Sequence, residues 1–279
     1  MKKFFGILCG IGVLLASTCF AGAKPIVVFG TMKVEVSHLM DKLENPKTMT
    51  VAGHNCVKGM VDGYPVVVFE THMGMVNASS AATIAIEKFK PIYALTTGTA
   101  GAHRDDLKIG DIILCEKLCN SNVYVSEYRP RGAGSNGNDW EYQDSEIFIN
   151  GDWDRVRYLY SNRKLLTIAQ KVPYKHGGLM LGITTSGDVW NRECDEIDFI
   201  RKNYNTDCED MESFAIASVC TKYDVPFLGV RVICNNEFLD TSADEDRELV
   251  GEDFYVVPAK NGQEYIYKVL KEIIKSVKK

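Results

Sequence analysis

The sequence lacks the residue spacings by which proteins commonly hold structural metal ions. It contains no Cys-x-x-Cys pair, and its five histidines do not cluster near the cysteines. Structural zinc sites draw their ligands from such short spacings, so we expect no metal site. Seven of the nine cysteines lie after residue 23, and no disulfide pair is indicated among them. Because seven is odd, at least one thiol stays unpaired unless it bridges to another chain.

The sequence also has no excess of basic residues. The chain has 32 lysines and arginines against 37 aspartates and glutamates, a formal net charge of −5. A protein that binds the phosphate backbone of nucleic acids needs a strongly basic face. The sequence therefore argues against a nucleic-acid partner and favours a small molecule.

Long apolar runs are absent except at the start, where the chain reads MKKFFGILCGIGVLLASTCFAGA. Two lysines precede an apolar run of about fifteen residues, and an A-x-A sequence follows at 21–23, which is the order of a secretory signal peptide. We expect cleavage after Ala23 and export to the periplasm or the exterior, with no stable membrane insertion. An uncleaved anchor and a lipoprotein signal with Cys19 as acceptor are the alternatives. Cleavage removes two lysines and leaves 256 residues, 24–279, with a net charge of −7.

The remaining sequence alternates between apolar strand patterns and amphipathic helix patterns, without an internal repeat or a domain linker. Apolar runs closed by glycine or threonine are typical of buried strands, and Asp62-Gly63 is typical of a hairpin turn. Strands are predicted at 24–30, in a hairpin at 49–73, and at 92–101, 111–118, 179–186 and 226–235. Helices are predicted at 34–44, 77–89, 195–204, 212–223 and 261–277. This alternation predicts a single α/β domain over 24–279, with a mixed central sheet flanked by helices.

One stretch interrupts the alternation. Residues 129–155 are rich in glycine, asparagine and aspartate and contain two tryptophans. Strand and helix patterns resume after it, so we interpret it as a surface insertion rather than a linker between domains. A lid, a contact surface and plain surface decoration are all compatible with such an insertion.

Polar residues follow most of the predicted strands. In open α/β sheets, ligands bind beyond the carboxyl ends of the strands. The segments concerned are 31–35, 72–74, 97–101, 186–190, 209–212 and 234–237. Each is by itself typical of a turn or a helix cap. Together they offer backbone amides, an aromatic face, methionines and isolated carboxylates, which suit an uncharged, hydroxylated ligand with a flat ring.

The order of these segments resembles the nucleoside phosphorylase superfamily and, within it, the methylthioadenosine/S-adenosylhomocysteine nucleosidases. The matching motifs are GTMKVEV at 30–36, TGTAG at 97–101, LKIGD at 107–111, SGDVW at 186–190 and DME at 210–212. The resemblance covers 24–125 and 178–235 well and the C-terminal helix loosely. It implies a nucleoside phosphorylase-like fold, a purine nucleoside as ligand, no cofactor and a homodimer.

At the sugar, the resemblance implies roles for two acids and a methionine. Glu35 would orient the attacking water, and Met211 would pack on the sugar. Glu212 would accept hydrogen bonds from the ribose 2′- and 3′-hydroxyls, although acids are also favoured in the first turn of a helix. Arg231 would contact this end of the site. It would either pair with Glu35 and keep it ionised, or bond to another strand-end carboxylate.

The resemblance points to four further residues, at the base and at the 5′ end of the sugar. Trp190 would stack on the base with a large aromatic face. Met73 would contact the 5′ substituent of the sugar, with core packing as the alternative. Thr99 and Gly101 belong to the glycine-rich loop, which is expected to line the substrate site.

The chain departs from the family at the general acid. The family has an aspartate after the late strand, whereas the segment VICNNE at 232–237 has Asn235 there. A carboxylic acid delivers a proton to N7 of a departing adenine, but an amide donates only a hydrogen bond. Three interpretations stay open: a preference for 6-oxopurines, adenine release protonated by water or by Glu237, and a weakened enzyme that mainly binds nucleoside.

The attacking group is a separate question. Phosphorolysis needs an anion site, which is usually built from arginines. Neither 31–35 nor 97–102 contains an arginine, and Arg104 lies slightly beyond. A carboxylate at Glu35 would also repel phosphate. The sequence therefore favours hydrolysis, with a phosphorylase, a nucleoside-binding protein and a storage protein as alternatives.

Overall fold

The computed structural model of the chain describes residues 22–239 and 254–279. Nearly all of the expected signal peptide at 1–23 lies outside these residues. Within them, the strands are β1 Ile26–Gly30, β2 Glu44–Val51, β3 His54–Val61, β4 Tyr64–Glu70, β5 Tyr93–Ala102, β6 Ile112–Asn120, β7 Tyr124–Val125, β8 Glu141–Tyr142, β9 Ser145–Ile149, β10 Asp152–Val156, β11 Leu159–Tyr160, β12 Leu179–Ser186, β13 Cys208–Asp210 and β14 Phe227–Asn235. The α-helices are α1 Lys33–Met40, α2 Met75–Phe89, α3 Arg163–Gln170, α4 Cys194–Tyr204, α5 Ser213–Lys222 and α6 Val256–Val277.

The main sheet is mixed and has ten strands in the described residues. At its centre, β1 runs parallel to both β4 and β5. Beyond β5 the pairing closes on itself, because β14 and β13 each pair with β5 and are linked through β6 and β12. The predicted single α/β domain with a mixed central sheet is confirmed.

Helices cover both faces of the sheet, and β1 shows why its sequence is apolar throughout. Ile26 and Val28 pack in a core cluster with residues of α1, α3 and α6. Val27 and Phe29 point the other way, into a cluster with residues of α2 and α5. Both faces of such a strand are buried, so apolar residues are favoured at every position. The sheet is therefore the middle layer of the domain, packed against helices on both faces.

Two predicted helix boundaries were wrong. The helix expected over 34–44 ends at Met40, where the backbone tightens into turns with Leu43 N donating to Met40 O. Leu43 is buried, which explains why it fitted a helical apolar pattern, but β2 begins at the next residue. The final helix begins at Val256 rather than near 261, and its Pro258 lies in the first turn, where proline is tolerated.

The segment 129–155 is not irregular throughout. It contains β8 and β9 and most of β10, and β9 and β10 form a small antiparallel hairpin. Tyr142 and Ile147 are buried, and Ile147 joins the core cluster beneath α2 and α5. Part of the segment thus packs on the domain. No helix in the described ranges is long and apolar enough to cross a membrane.

Candidate active site

A cavity of about 870 Å³ lies where β1, β4, β5 and β14 end. Eight of the nine residues singled out in the sequence line it, namely Glu35, Met73, Thr99, Gly101, Trp190, Met211, Glu212 and Asn235. The exception is Arg231. Sequence motifs that are up to 200 residues apart therefore converge on one cavity, as expected for an α/β sheet.

Glu35 is only 2% exposed, and its carboxylate accepts four hydrogen bonds. Its Oε2 accepts from the backbone amides of Thr31 and Met32, both at 3.1 Å. Its Oε1 accepts from the amide of Thr99 at 2.7 Å and from the Thr99 hydroxyl at 2.8 Å. Of these four donors, only the hydroxyl can rotate away to leave room for a water molecule. Glu35 is thus fixed in position and able to bind one mobile donor.

Arg231 lies behind the cavity wall and contacts Asp210 rather than Glu35. Its Nε donates to Asp210 Oδ2 at 2.5 Å and to Ser213 Oγ at 2.9 Å. Of the two partners considered for Arg231, the strand-end carboxylate is the one found. The expected contact of Arg231 with substrate was wrong, because the side chain is only 1% exposed. Burial lowers the pKa of Arg231, but the charges of Asp210 and Glu212 outweigh it and raise the pKa above its ordinary value.

Glu212 combines burial with a shifted pKa. Its Oε1 accepts from the amide of Gly74 at 3.0 Å, and the side chain lines the cavity. Burial raises its pKa to about 7, the negative charge of Asp210 adds to the shift, and Arg231 and the Gly74 amide oppose it. A carboxyl with this pKa changes charge near neutrality.

The loop between β4 and α2 brings Met73 and Gly74 to the cavity. Gly74 has a φ of 94°, and a Cβ there would lie 3.1 Å from Asp188 Oδ1. Glycine is therefore needed where the chain turns to direct its amide at Glu212. Met73 is 59% exposed, so it is not a core residue. An exposed methionine at a cavity rim suits a flexible apolar contact.

Aromatic side chains are part of the cavity lining. Trp190 is 52% exposed, and its ring stacks near that of Phe254, with centroids 6.2 Å apart and planes 25° apart. Phe254 and Tyr255, at the start of the last helical segment, also line the cavity. The sequence pattern did not indicate them, because they follow no predicted strand.

Asn235 sits at the end of β14, at the position where the family resemblance implies an aspartate. Its Nδ2 donates to Glu237 Oε1 at 3.0 Å, and its Oδ1 accepts from the Cys234 thiol at 3.2 Å. Glu237 is hydrogen-bonded to the amide and is not among the described residues that line the cavity. The group that faces the cavity from β14 is an amide.

The model of the phosphorylase superfamily matches residues 25–274. The chain belongs to the phosphorylase superfamily. A 5′-methylthioadenosine/S-adenosylhomocysteine nucleosidase from Shewanella pealeana is 31% identical over 229 residues, which are 81% of this chain and 92% of the relative. A nucleosidase of the same description from Bacillus cereus is 28% identical over 251 residues, covering 89% of this chain and 99% of the relative.

Solved structures of this superfamily have the same fold. The 5′-methylthioadenosine/S-adenosylhomocysteine nucleosidase of S. pneumoniae, with a transition-state inhibitor, superposes with a TM-score of 0.72 at 20% identity, covering 89% of this chain and 99% of that one. Futalosine hydrolase of Helicobacter pylori, as a mutant, gives 0.72 at 22% identity and covers 90% and 100%. At these identities the likeness establishes the fold.

Asp210 and Glu209 contribute more to the site than the sequence indicated. Asp210 accepts from the Ser186 hydroxyl at 2.5 Å and from the amides of Glu212 and Ser213, so it ties together the parts that hold Glu212. Glu209 lines the cavity. The signal for both was the crowding of acids at 209–212, which alone does not reveal their partners. Among the described residues, no group of three or more His, Cys, Asp or Glu side chains is placed to hold a metal ion.

Proposed function

We propose that the protein hydrolyses the N-glycosidic bond of purine nucleosides. The observation that carries this proposal is the placement of Glu35 and Glu212, two buried carboxyl groups, on the walls of one cavity of about 870 Å³. Cavities of several hundred Å³ take ligands of nucleoside size. The nucleosidases to which the chain is similar at 28–32% identity support the same reaction.

The residues divide the reaction between them. Cleavage of an N-glycosidic bond passes through a sugar with oxocarbenium character, which nearby carboxylates stabilise. Glu212 accepts hydrogen bonds from the ribose hydroxyls, and Met211 and Met73 contact the apolar parts of the sugar. Glu35 takes a hydrogen bond from water in place of the Thr99 hydroxyl and orients it toward the anomeric carbon. Trp190 supplies the stacking face for the base.

The leaving base is assisted by an amide in this protein. Asn235 Nδ2 has one hydrogen directed at Glu237 and keeps a second for an acceptor on the base. It stabilises negative charge on the departing base without transferring a proton to it. Because loss of a general acid costs about 10²–10⁴ in rate, this arrangement suits bases that leave easily or that are protonated by water.

Hydrolysis fits the charges of the cavity better than phosphorolysis does. Its described lining contains one arginine, Arg192, against four carboxyl side chains, namely Glu35, Glu209, Asp210 and Glu212. Phosphate is bound by converging positive charges and amides, and here it would meet carboxylates. Water, which is neutral, has no such penalty.

Base release from inosine, adenosine and 5′-methylthioadenosine, measured with and without phosphate, tests the proposal. We expect release without phosphate, a loss of at least about 100-fold in Glu35→Gln, and no change in Glu146→Gln, an exposed acid away from the cavity. Release that requires phosphate would contradict hydrolysis. Micromolar nucleoside binding by calorimetry without any release would instead identify a binding protein.

We further propose that the chain is exported and forms a homodimer. The order of the first 23 residues supports export, and the family resemblance supports the dimer. Val76 is 77% exposed beside Met73 at the cavity rim, which is consistent with an apolar contact there. Sedimentation of the purified protein at micromolar concentration measures the assembly, and a monomer would contradict the second proposal.

A further inference from the structure

Glu209 is a cavity-lining acid that the proposed reaction does not use. It is 8% exposed, and three donors hold it. Its Oε1 accepts from the amide of Asn191 at 3.0 Å, and its Oε2 accepts from Asn191 Nδ2 at 2.6 Å and from His103 Nε2 at 3.1 Å. A carboxylate has about four acceptor sites, so one site on Oε1 is left in the described contacts. Glu209 therefore has capacity for one more donor.

The support beneath Glu209 is polar and buried. His103 is fully buried, and its Nδ1 lies 2.7 Å from the Thr206 hydroxyl. Because a carboxylate only accepts, His103 Nε2 carries the hydrogen toward Glu209, and Nδ1 faces the Thr206 hydroxyl, which can donate or accept. The carboxylate is thus held from behind by a chain of side chains, as in sites that must present a group in one orientation.

The sheet register places Glu209 beside Asn235 with only a glycine between them. Gly101 of β5 is the register partner of Glu209 on β13 and of Asn235 on β14. A Cβ on Gly101 would lie 3.1 Å from Asn235 Nδ2 and 3.6 Å from Glu209 Cγ. All three residues line the cavity. The absence of a side chain at Gly101 leaves space in the cavity between the side chains of Asn235 and Glu209.

The orientation of the amide is fixed by its neighbour. Glu237 only accepts, so the atom of Asn235 that faces it is Nδ2, and the second hydrogen on Nδ2 is available. This end of the cavity therefore presents a donor from β14 and an acceptor from β13. In a 6-oxopurine, O6 is an acceptor and the adjacent N1–H is a donor. In adenine the corresponding positions are reversed, with a donating 6-amino group and an accepting N1.

We propose that Glu209 is a specificity-determining residue that accepts the N1–H hydrogen of a 6-oxopurine base while Asn235 donates to N7 or O6. This inference rests on the proposed function for the position of the nucleoside and goes beyond it by naming the base class. Adenine can place its 6-amino group near Glu209, but its N1 then adds a second acceptor at the same edge. The site thus favours inosine-type and guanosine-type nucleosides over adenosine-type ones.

Two probes of the unaltered protein test the proposal without relying on a variant. We expect kcat/KM for inosine to exceed that for adenosine by at least about tenfold, because a buried group left without its partner is costly. We expect 1-methylinosine, which lacks the N1–H, to react at least about 100-fold more slowly than inosine. Equal use of inosine and 1-methylinosine, or a preference for adenosine, would overturn the assignment.

The variant Glu209→Gln distinguishes a role of Glu209 in base selection from a purely structural role. A glutamine can offer a donor at this edge, so we expect the inosine to adenosine ratio of kcat/KM to fall at least about tenfold, with adenosine gaining in absolute terms. Glu146→Gln should leave the ratio unchanged. A purely structural role predicts equal losses for both nucleosides.

Calorimetry with free hypoxanthine and adenine covers the case in which no nucleoside is cleaved. Tighter binding of hypoxanthine would support the role of Glu209 even though the proposed hydrolysis had failed. Tighter binding of adenine would overturn it. Cleavage of adenosine alone would leave hydrolysis standing and reject the base assignment, so the two failures are distinguishable.

Discussion

Glu212 is the residue in which burial and charge conflict most clearly. It is 5% exposed, and burial together with the Asp210 charge raises its pKa to about 7 from an ordinary value near 4.5. The folded protein therefore keeps this proton over a pH range in which the unfolded chain has lost it. Stability falls as pH rises across that range, because ionising the buried group is unfavourable.

We expect Glu212→Gln to remove this pH dependence. The free energy of unfolding of the variant, relative to the unaltered protein, should rise by on the order of 2 kcal/mol between pH 5 and pH 8. Urea denaturation at several pH values measures it, with Glu146→Gln as the exposed control. In the unaltered protein, nucleoside affinity should increase through pH 7, since only the ionised carboxylate accepts from both ribose hydroxyls. A variant whose relative stability is flat across this range would contradict the raised pKa.

The partners of single residues were harder to predict than their positions. Glu35, Met211 and Glu212 could be named from the sequence because each belongs to a short motif. Arg231 could not be assigned a partner, since Asp210 lies 21 positions away on another strand. Only the three-dimensional arrangement of β13 and β14 brings the two together, and no local pattern encodes it.

At the scale of the elements, β5 contains two glycines, Gly98 and Gly101, whose surroundings differ. A Cβ on Gly98 would lie 2.0 Å from Arg231 Nη1, inside the buried cluster. On Gly101 the nearest atom would be Asn235 Nδ2 at 3.1 Å, in the cavity. Gly98 leaves room for the buried guanidinium of Arg231, and Gly101 keeps the cavity open beside Asn235.

Alanine at each position should therefore affect different properties. We expect Gly98→Ala to lower the free energy of unfolding by about 3 kcal/mol, because it displaces Arg231 from Asp210. Gly101→Ala should change it by less than about 1 kcal/mol but reduce kcat/KM for nucleosides. Urea denaturation and base release measure the two effects. Equal destabilisation by both substitutions would show that the strand responds to added bulk alone.

The elements that the sequence predicted well are those buried on both faces. β1 is a continuous apolar run, and β5, β6 and β14 each begin with one, so their positions followed from those runs. Most of β2 was missed. Within the described residues it pairs only with β3, and it is mostly exposed, so its residues have no apolar pattern. An edge strand is determined by its neighbour rather than by its own sequence.

At the scale of the whole molecule, the cysteines behave as small buried apolar residues. None of the seven cysteines in the described residues forms a disulfide, and six of them are buried. Burial raises the pKa of Cys56 to about 11 and that of Cys115 and Cys119 to about 12. These thiols are protonated near neutrality and react slowly. The sequence indicates no pairing, because most of these cysteines are packed as apolar side chains: Cys56, Cys115 and Cys220 lie in one core cluster, and Cys208 and Cys119 lie in two others.

The purified protein should accordingly be insensitive to reducing agents. Loss of a disulfide costs about 2–5 kcal/mol of stability, which lowers the Tm of a chain of this size by several degrees. We expect instead that Tm with and without dithiothreitol agrees within about 1 °C. Thiol titration in denaturant, without reduction, should count seven thiols if residues 1–23 have been removed and nine if they remain, because Cys9 and Cys19 lie there. A lower Tm under reduction, together with a count two below either value, would reveal a disulfide and contradict the assignment. Since mass spectrometry of the same sample gives the length of the chain independently, the count separates processing at the N-terminus from oxidation of the core.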